Sequence, residues 1–359
     1  MNSSLYDSSN ETTDWTLQPS IEREGISPFT QISNIIICVL AICGNMLTMM
    51  MFATERKLLK KPYNILILAL AIADVLAAIS VITNPAFVLG DAFPYPSNPI
   101  MADIVCRLIW SRAVVFQLVF FSIYITLGMT AERWCAIVKP HIYKNVFSRK
   151  NVLGYIVFSW VWTCVLLIKH AQEVVYTPSS KQVCQFSRET VVSISTILWN
   201  AAQILLKMIL PCLAVVALYI HMIIKTNKSP FASLECKAKL KGRITRMVGV
   251  SSFILISLFI PNQVIYFLSW VGKAKLDTPL HHFTSVLTFM TLCINPFIYG
   301  LSNKNYQQRY RKLAIALCPR GLRGSDKVVV ITNSNRAARH RSVKPVKEDT
   351  NPGVNKYCM

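Results

Sequence analysis

Apolar residues fall into seven long blocks, at about 31–54, 63–89, 108–138, 151–173, 192–225, 243–270 and 281–302. A helix rising about 1.5 Å per residue needs roughly 20 such residues to cross a hydrocarbon layer about 30 Å thick. Each block meets that length, so the pattern predicts an all-α membrane protein, a bundle of seven transmembrane helices over residues 31–302. A different pattern follows. In "LSNKNYQQRYRKLAIALC" bases and apolar residues alternate at helical spacing, which predicts an amphipathic helix over 303–318 lying on the membrane surface. Residues 319–359 are polar and basic and are expected to be a disordered tail. Residues 1–30 form a polar leading segment with no apolar core behind a positive charge, so span one is expected to act as the insertion signal.

Composition agrees with lipid burial: 53% of the 359 residues are hydrophobic and 15% charged. Basic residues are distributed unevenly among the loops. Fifteen Lys and Arg lie in the loops after spans one, three and five, against six in the leading segment and the remaining loops. Positive loops stay on the cytoplasmic side, so the N-terminus is expected outside and the basic C-terminal tail inside, at the plasma membrane. The net charge of +21 then reports topology and contact with anionic lipid, and its spread over many loops argues against nucleic acid as a partner. Asn2 in "NSS" and Asn10 in "NET" are candidate glycosylation sites on the outer segment. Of eleven cysteines only Cys106 and Cys184 fall in segments expected outside the cell, where a disulfide persists, and they are expected to bond. Cys318, at the end of the amphipathic stretch, is a candidate for palmitoylation.

Polar side chains inside lipid cost a few kcal/mol each, on the order of 2.5–3.5 for a charge at mid-helix, so each needs a reason. Asp74 stands alone in span two, with Asn45 in span one, Ser122 in span three and Asn295 in span seven at similar depth. Together they could form one hydrated cation site; a hydrogen-bonded packing network around a neutral Asp74 is the alternative. Glu132 and Arg133 sit at the end of span three. Pro85, Pro211, Pro261 and Pro296 are expected inside spans, each removing a backbone hydrogen bond and kinking its helix.

These residues resemble the rhodopsin-type, class A family of G-protein-coupled receptors. The marks are Gly44–Asn45, "LALAIAD" ending at Asp74, "ERW" at Glu132–Trp134, Trp160, Pro211 with Tyr219, "LFIP" ending at Pro261, and "NPFIY" at Asn295–Tyr299. The resemblance implies a receptor that binds an extracellular ligand and activates heterotrimeric G proteins, with an amphipathic helix 8. It implies that Glu132 holds Arg133 at rest, and that Tyr219 and Tyr299 steady the open form, in which Pro296 and Pro261 let the helices part. It also implies a sodium ion at Asn45, Asp74, Ser122 and Asn295, favouring the resting form. Receptor kinases and arrestin are the implied partners of Ser and Thr in the tail. Phe259 stands where the family commonly has tryptophan, and Cys106 lies about two residues farther from Arg133 than is usual.

The ligand is approached by elimination. Between Cys106 and Thr130 there is no acid of the kind amine receptors carry, and span seven has no lysine for retinal. The outer halves of the spans carry Arg112, Lys169, His170, Gln203, Lys207, Asn262, Gln263, His281 and His282. A cationic, amide-rich cavity suits an anionic group, and Arg112, Gln203, Lys207, Phe259, Asn262 and Gln263 are the candidate ligand residues. The wider resemblance is to neuropeptide receptors of the galanin or allatostatin sort; a lipid or other small acidic mediator is the alternative ligand. A transporter or channel is the alternative of another class, but no internal repeat is visible. No metal-peptidase or nucleophile motif points to an enzyme. Some family members hold the arginine with a second acid on span six, where this chain has Lys241. The resemblance therefore predicts ligand-independent signalling: second-messenger output should climb with receptor density in the absence of ligand, and a flat line would count against it.

Overall fold

The computed structural model describes residues 26–177, 183–186, 194–228, 234–270, 273–276, 278–302 and 304–317. Asn2, Asn10, Cys318 and the tail lie outside the described residues, as does the side chain of Lys241. Among the described residues seven helices are long and apolar enough to cross a membrane. Span one is Pro28–Thr54, span two Pro62–Ile82, span three Ala113–Val138 and span four Arg149–Gln172. Span five runs through Ile194–Ile204, Leu205–Ile209 and Leu210–Lys228; span six is Leu234–Trp270 and span seven Pro279–Ser302. Their starts follow local chemistry. Ser27 and Ser148 cap spans one and four by accepting the backbone N–H of Thr30 and Asn151. Pro28, Pro62 and Pro279 each stand in a first turn, where the missing N–H is harmless.

Span three is the axis. Of its apolar window 89% is buried, against 17% for span five and 22% for span six, so the other helices are arranged around it. Outward faces carry large exposed apolar side chains such as Phe29, Val157, Phe158 and Phe253. In water so much exposed apolar surface would drive association; in lipid it is solvated. Two small residues bring helices close. Gly128 of span three lies under the ring of Tyr155 of span four, and a Cβ at Gly44 would come within 3.1 Å of Pro296.

Three departures from the sequence expectation each come with a local change of helical pitch. Span two ends at Ile82, not 89. Pro85 starts a separate turn of π-helix, Pro85–Leu89, after Asn84, whose Oδ1 accepts the N–H of Ala86. Pro85 is thus outside the span and does not kink it. Span three begins at Ala113, not 108. The chain arrives through helix Pro99–Val105 and a π turn Cys106–Trp110, then reverses at Arg112, which adopts φ 70° and ψ 9°. A non-glycine residue is thus held left-handed between the π turn and span three. In span five the π turn Leu205–Ile209 directly precedes Pro211, and Leu210 donates its N–H to Leu205. The wider turn accommodates a proline ring that would crowd an ordinary α-helix.

Two further elements close the ends. The strands β1 (Val174–Tyr176) and β2 (Cys184–Phe186) pair antiparallel, with Tyr176 opposite Cys184. Cys184 bonds to Cys106 as expected, pinning this hairpin over span three. At the other end, helix Lys304–Leu317 lies within the amphipathic stretch, residues 303 and 318 being outside the described residues, and it is tied to the bundle at three points. Tyr306 donates to Asn64 Oδ1 at 2.5 Å, Tyr310 bonds to Thr48 at 2.9 Å, and Arg309 pairs with Glu55.

Overpacking a close helix contact costs about 1–3 kcal/mol. Gly128→Val should therefore lower the melting temperature of detergent-solubilised protein. Gly154→Ala, where nothing lies within 4 Å of an added Cβ, should leave it unchanged or slightly raised. Equal melting curves for the parent and Gly128→Val would contradict this contact.

Candidate functional site

Three polar groups lie at three depths along span three. At mid-depth Asp74 is buried. Ser122 donates to its Oδ1 at 3.1 Å and Asn295 to its Oδ2 at 2.9 Å. Spans two, three and seven thus meet at one carboxylate. Asn45 turns its amide elsewhere, donating to the carbonyls of Ala41 and Leu292, both at 2.9 Å, which ties span one to span seven. Of the four residues expected together, Ser122 and Asn295 meet Asp74, while Asn45 meets span seven at Leu292 instead.

At one end of the bundle stand Glu132 and Arg133. Arg133 Nε lies 2.8 Å from Glu132 Oε2, and Glu132 Oε1 accepts the Tyr143 hydroxyl at 2.5 Å. Burial, with the carboxylate beside it, pushes the Tyr143 phenol well above its ordinary value, so it remains a donor. The Arg133 guanidinium lies over the ring of Tyr63 at 4.0 Å from its centre. Tyr219 of span five is lodged against Gly249 of span six, where a Cβ would collide with its hydroxyl. Tyr299 is buried and bonds to Met129 Sδ at 4.0 Å, with its ring 6.4 Å from that of Tyr306. Trp134 donates its indole N–H to His221 Nδ1 at 2.9 Å, tying span three to span five. Sequence reasoning missed Tyr63, Tyr143 and His221. Tyr143 had a local signal, since Pro140 starts the short helix Pro140–Val146 and sets the tyrosine one turn in; Tyr63 had none, lying 70 positions from its partner.

At the opposite end Arg112 and Lys207 each lie against an aromatic ring, and Phe259 packs on Phe120. Arg112 is buried with its guanidinium 5.4 Å from the Phe87 ring centre. Lys207, on the π turn of span five, holds its ammonium 5.6 Å from the Phe120 ring centre. His170 bonds through Nε2 to the Ser111 carbonyl at 2.9 Å and lies within electrostatic reach of both cations; Glu173 lies within reach of Lys207. Phe259 is buried edge-on to Phe120, with ring centres 5.8 Å apart. Asn262 is buried and its Oδ1 faces the Thr284 hydroxyl at 3.5 Å; Gln263, next to it, is half-buried. Gln203 is buried and its Oε1 has no hydrogen-bond partner among the described residues. Tyr266 bridges Phe116 and His281 through edge-on ring contacts of 5.7 and 5.6 Å. No group of three or more His, Cys, Asp or Glu that could hold a metal occurs among the described residues.

The arrangement sets two cations against aromatic rings at one end and a partnered arginine at the other, with one enclosed helix between them. Known proteins share its sequence pattern. Residues 44–299 match the family described as 7 transmembrane receptor (rhodopsin family). The somatostatin receptor type 5 of Rattus norvegicus is 23% identical over 96% of this chain and 93% of its own length. The melatonin receptor type 1A of Ovis aries is 25% identical over 86% of this chain and 81% of its own. The allatostatin-A receptor of Bombyx mori is 25% identical over 86% and 85%. The match covers well over half of the chain and takes in all three polar groups, from Asp74 to Tyr299. The chain therefore belongs to the rhodopsin family of seven-transmembrane, G-protein-coupled receptors, and is a multi-pass membrane receptor, not an enzyme.

Proposed function

We propose that this receptor takes an extracellular peptide whose acidic group, a C-terminal carboxylate or an acidic side chain, is held between Arg112 and Lys207. The observation that carries the reading is the pair of cations set against the Phe87 and Phe120 rings, both within reach of His170, at the end of the bundle opposite Arg133. Two relatives are named for somatostatin and allatostatin-A, which supports a peptide. A small acidic or lipid mediator remains the second reading, because one anionic head would satisfy the same two cations. Gln203, Phe259, Asn262 and Gln263 supply amide contacts and an apolar floor. The ligand acts by binding one arrangement of the helices more tightly than the other, which shifts a two-state population.

In this reading the N-terminus faces outward with glycans at Asn2 and Asn10, and the basic loops and tail face the cytosol. Glu132 holds Arg133 at rest. As spans five, six and seven separate at Pro211, Pro261 and Pro296, Arg133 turns to the G protein, and Tyr219 and Tyr299 steady the opening. Helix Lys304–Leu317 lies on anionic lipid with Cys318 acylated, and the tail serves receptor kinases and arrestin. Asp74 and Ser122 fit a sodium ion, since a carboxylate and a hydroxyl whose proton is already donated both present oxygen lone pairs. Such an ion would supply positive charge that stabilises the resting packing of spans two, three and seven around Asp74.

Hydrogen bonds to a charged group contribute about 1.5–3 kcal/mol, a factor of roughly ten to a hundred in affinity. Lys207→Ala should therefore reduce the potency of an acidic agonist by about that factor, and Lys207→Glu by more, with surface expression unaltered. Unchanged potency in both variants, or equal loss for an amidated ligand lacking the acid, would remove Lys207 from the site. Asp74→Asn should abolish the difference in agonist affinity between sodium and choline chloride. A sodium effect that persists in that variant would exclude Asp74 as its site.

A further inference from the structure

The hold on Arg133 is shared. Arg133 Nε lies 2.8 Å from Glu132 Oε2, yet neither atom makes an aligned hydrogen bond among the described residues. The geometry has a simple origin: consecutive helical residues do not face each other, so the carboxylate reaches its neighbour obliquely. Glu132 also shares itself, since its other oxygen is taken by the Tyr143 hydroxyl. On its other side Arg133 has a flat partner. Its guanidinium carbon stands 4.0 Å from the centre of the Tyr63 ring, well inside the roughly 6 Å over which a cation is attracted to a ring face. A planar guanidinium stacks on such a face as an ammonium does not. Tyr63 is buried, in the first turn of span two, and packs in the same core as Tyr299 and Tyr306, so the ring is held in place before the arginine arrives. The Arg133 side chain is 24% exposed, so the contact is largely shielded from water. At position 241, on span six, the chain has lysine and no carboxylate.

We propose that the face of Tyr63 is a second holding surface for Arg133, a positioning residue that sets how often the receptor signals without ligand. The guanidinium must leave this ring to reach a G protein, so the stacking energy adds to the barrier and to the bias toward rest. The proposal rests on the reading that Arg133 engages the G protein, and the controls below separate the two.

The measurement is basal nucleotide exchange on purified G protein, driven by full-length receptor in membranes at matched surface density. Tyr63→Leu should raise basal exchange by roughly twofold to thirtyfold, the range that a surface-to-buried cation–ring contact implies. Tyr63→Phe keeps the face and loses only the hydroxyl, so it should stay within about twofold of the parent. In an Arg133→Lys background, where the planar stack is lost and only a point charge faces the ring, the effect of Tyr63→Leu should be smaller than in the parent. Should Tyr63→Leu fold poorly, a series of mono-, di- and trifluorinated phenylalanines at 63 keeps the shape and drains the negative face, and basal exchange should climb stepwise with fluorine count. A flat fluorine series, or Tyr63→Phe as active as Tyr63→Leu, overturns the proposal. Arg133→Ala tests the underlying reading alone: if ligand-stimulated exchange survives it, the arginine switch itself is wrong. If stimulated exchange is lost in Arg133→Ala while the fluorine series is flat, only the role of the ring falls.

Discussion

In hydrocarbon a backbone N–H or C=O without a partner costs several kcal/mol, and no water is present to supply one. The architecture follows from that constraint. The spans are helices because a helix satisfies its own backbone, and at three breaks among the described residues another group takes over. Asn84 fills in after span two, donating to Ile109 and accepting from Ala86. Ser111, at the break before span three, donates to Arg107 and accepts from Ala113. The turn before Pro211 closes through Leu205. At these three places protein groups replace the lost bonds.

The same constraint places the functional groups. A charge tolerated in such a bundle must be enclosed and partnered, and span three is the most enclosed of the described spans. Arg112 stands at one end of it, Ser122 reaches Asp74 at the middle, and Glu132 and Arg133 close the other end. Each group belongs to a neighbour as well. Arg112 lies over Phe87, Asp74 is bound from span seven by Asn295, and Arg133 lies over Tyr63 of span two. A shift of span two or span seven relative to span three is therefore felt at more than one depth. That gives a ligand at one end a physical route to the arginine at the other: it needs only to bind one packing of these helices better than another.

Left-handed Arg112 and the π turn under Lys207 are departures from regular helix at the two cations proposed to hold the ligand. A non-glycine residue held left-handed costs on the order of 1–3 kcal/mol and persists where the surroundings over-determine it. Here the disulfide, the His170 bond to Ser111 and the buried Phe87 ring hold the segment around Arg112. The result is a pair of cations aimed by rigid elements, and not carried on loose loops.

Hydropathy and length by themselves determined that seven helices cross the membrane, because the cost of burying polar backbone and charge is local and additive along the chain. They also determined which polar residues were exceptional, since Asp74, Lys207 and Arg133 stand out against any apolar run. Spacing could not show how span two ends, because proline at 85 is compatible with a kink inside a helix or a start outside one, and only the bond from Asn84 decides. Nor could it show Tyr63 beneath Arg133 or Tyr143 on Glu132: aromatic residues near a helix end are common, and which one meets a cation depends on the azimuth and depth of two helices set by the packing of all seven. Close approach at Gly128 and Gly44 sets those angles, and such contacts between distant residues exist only once the bundle has closed.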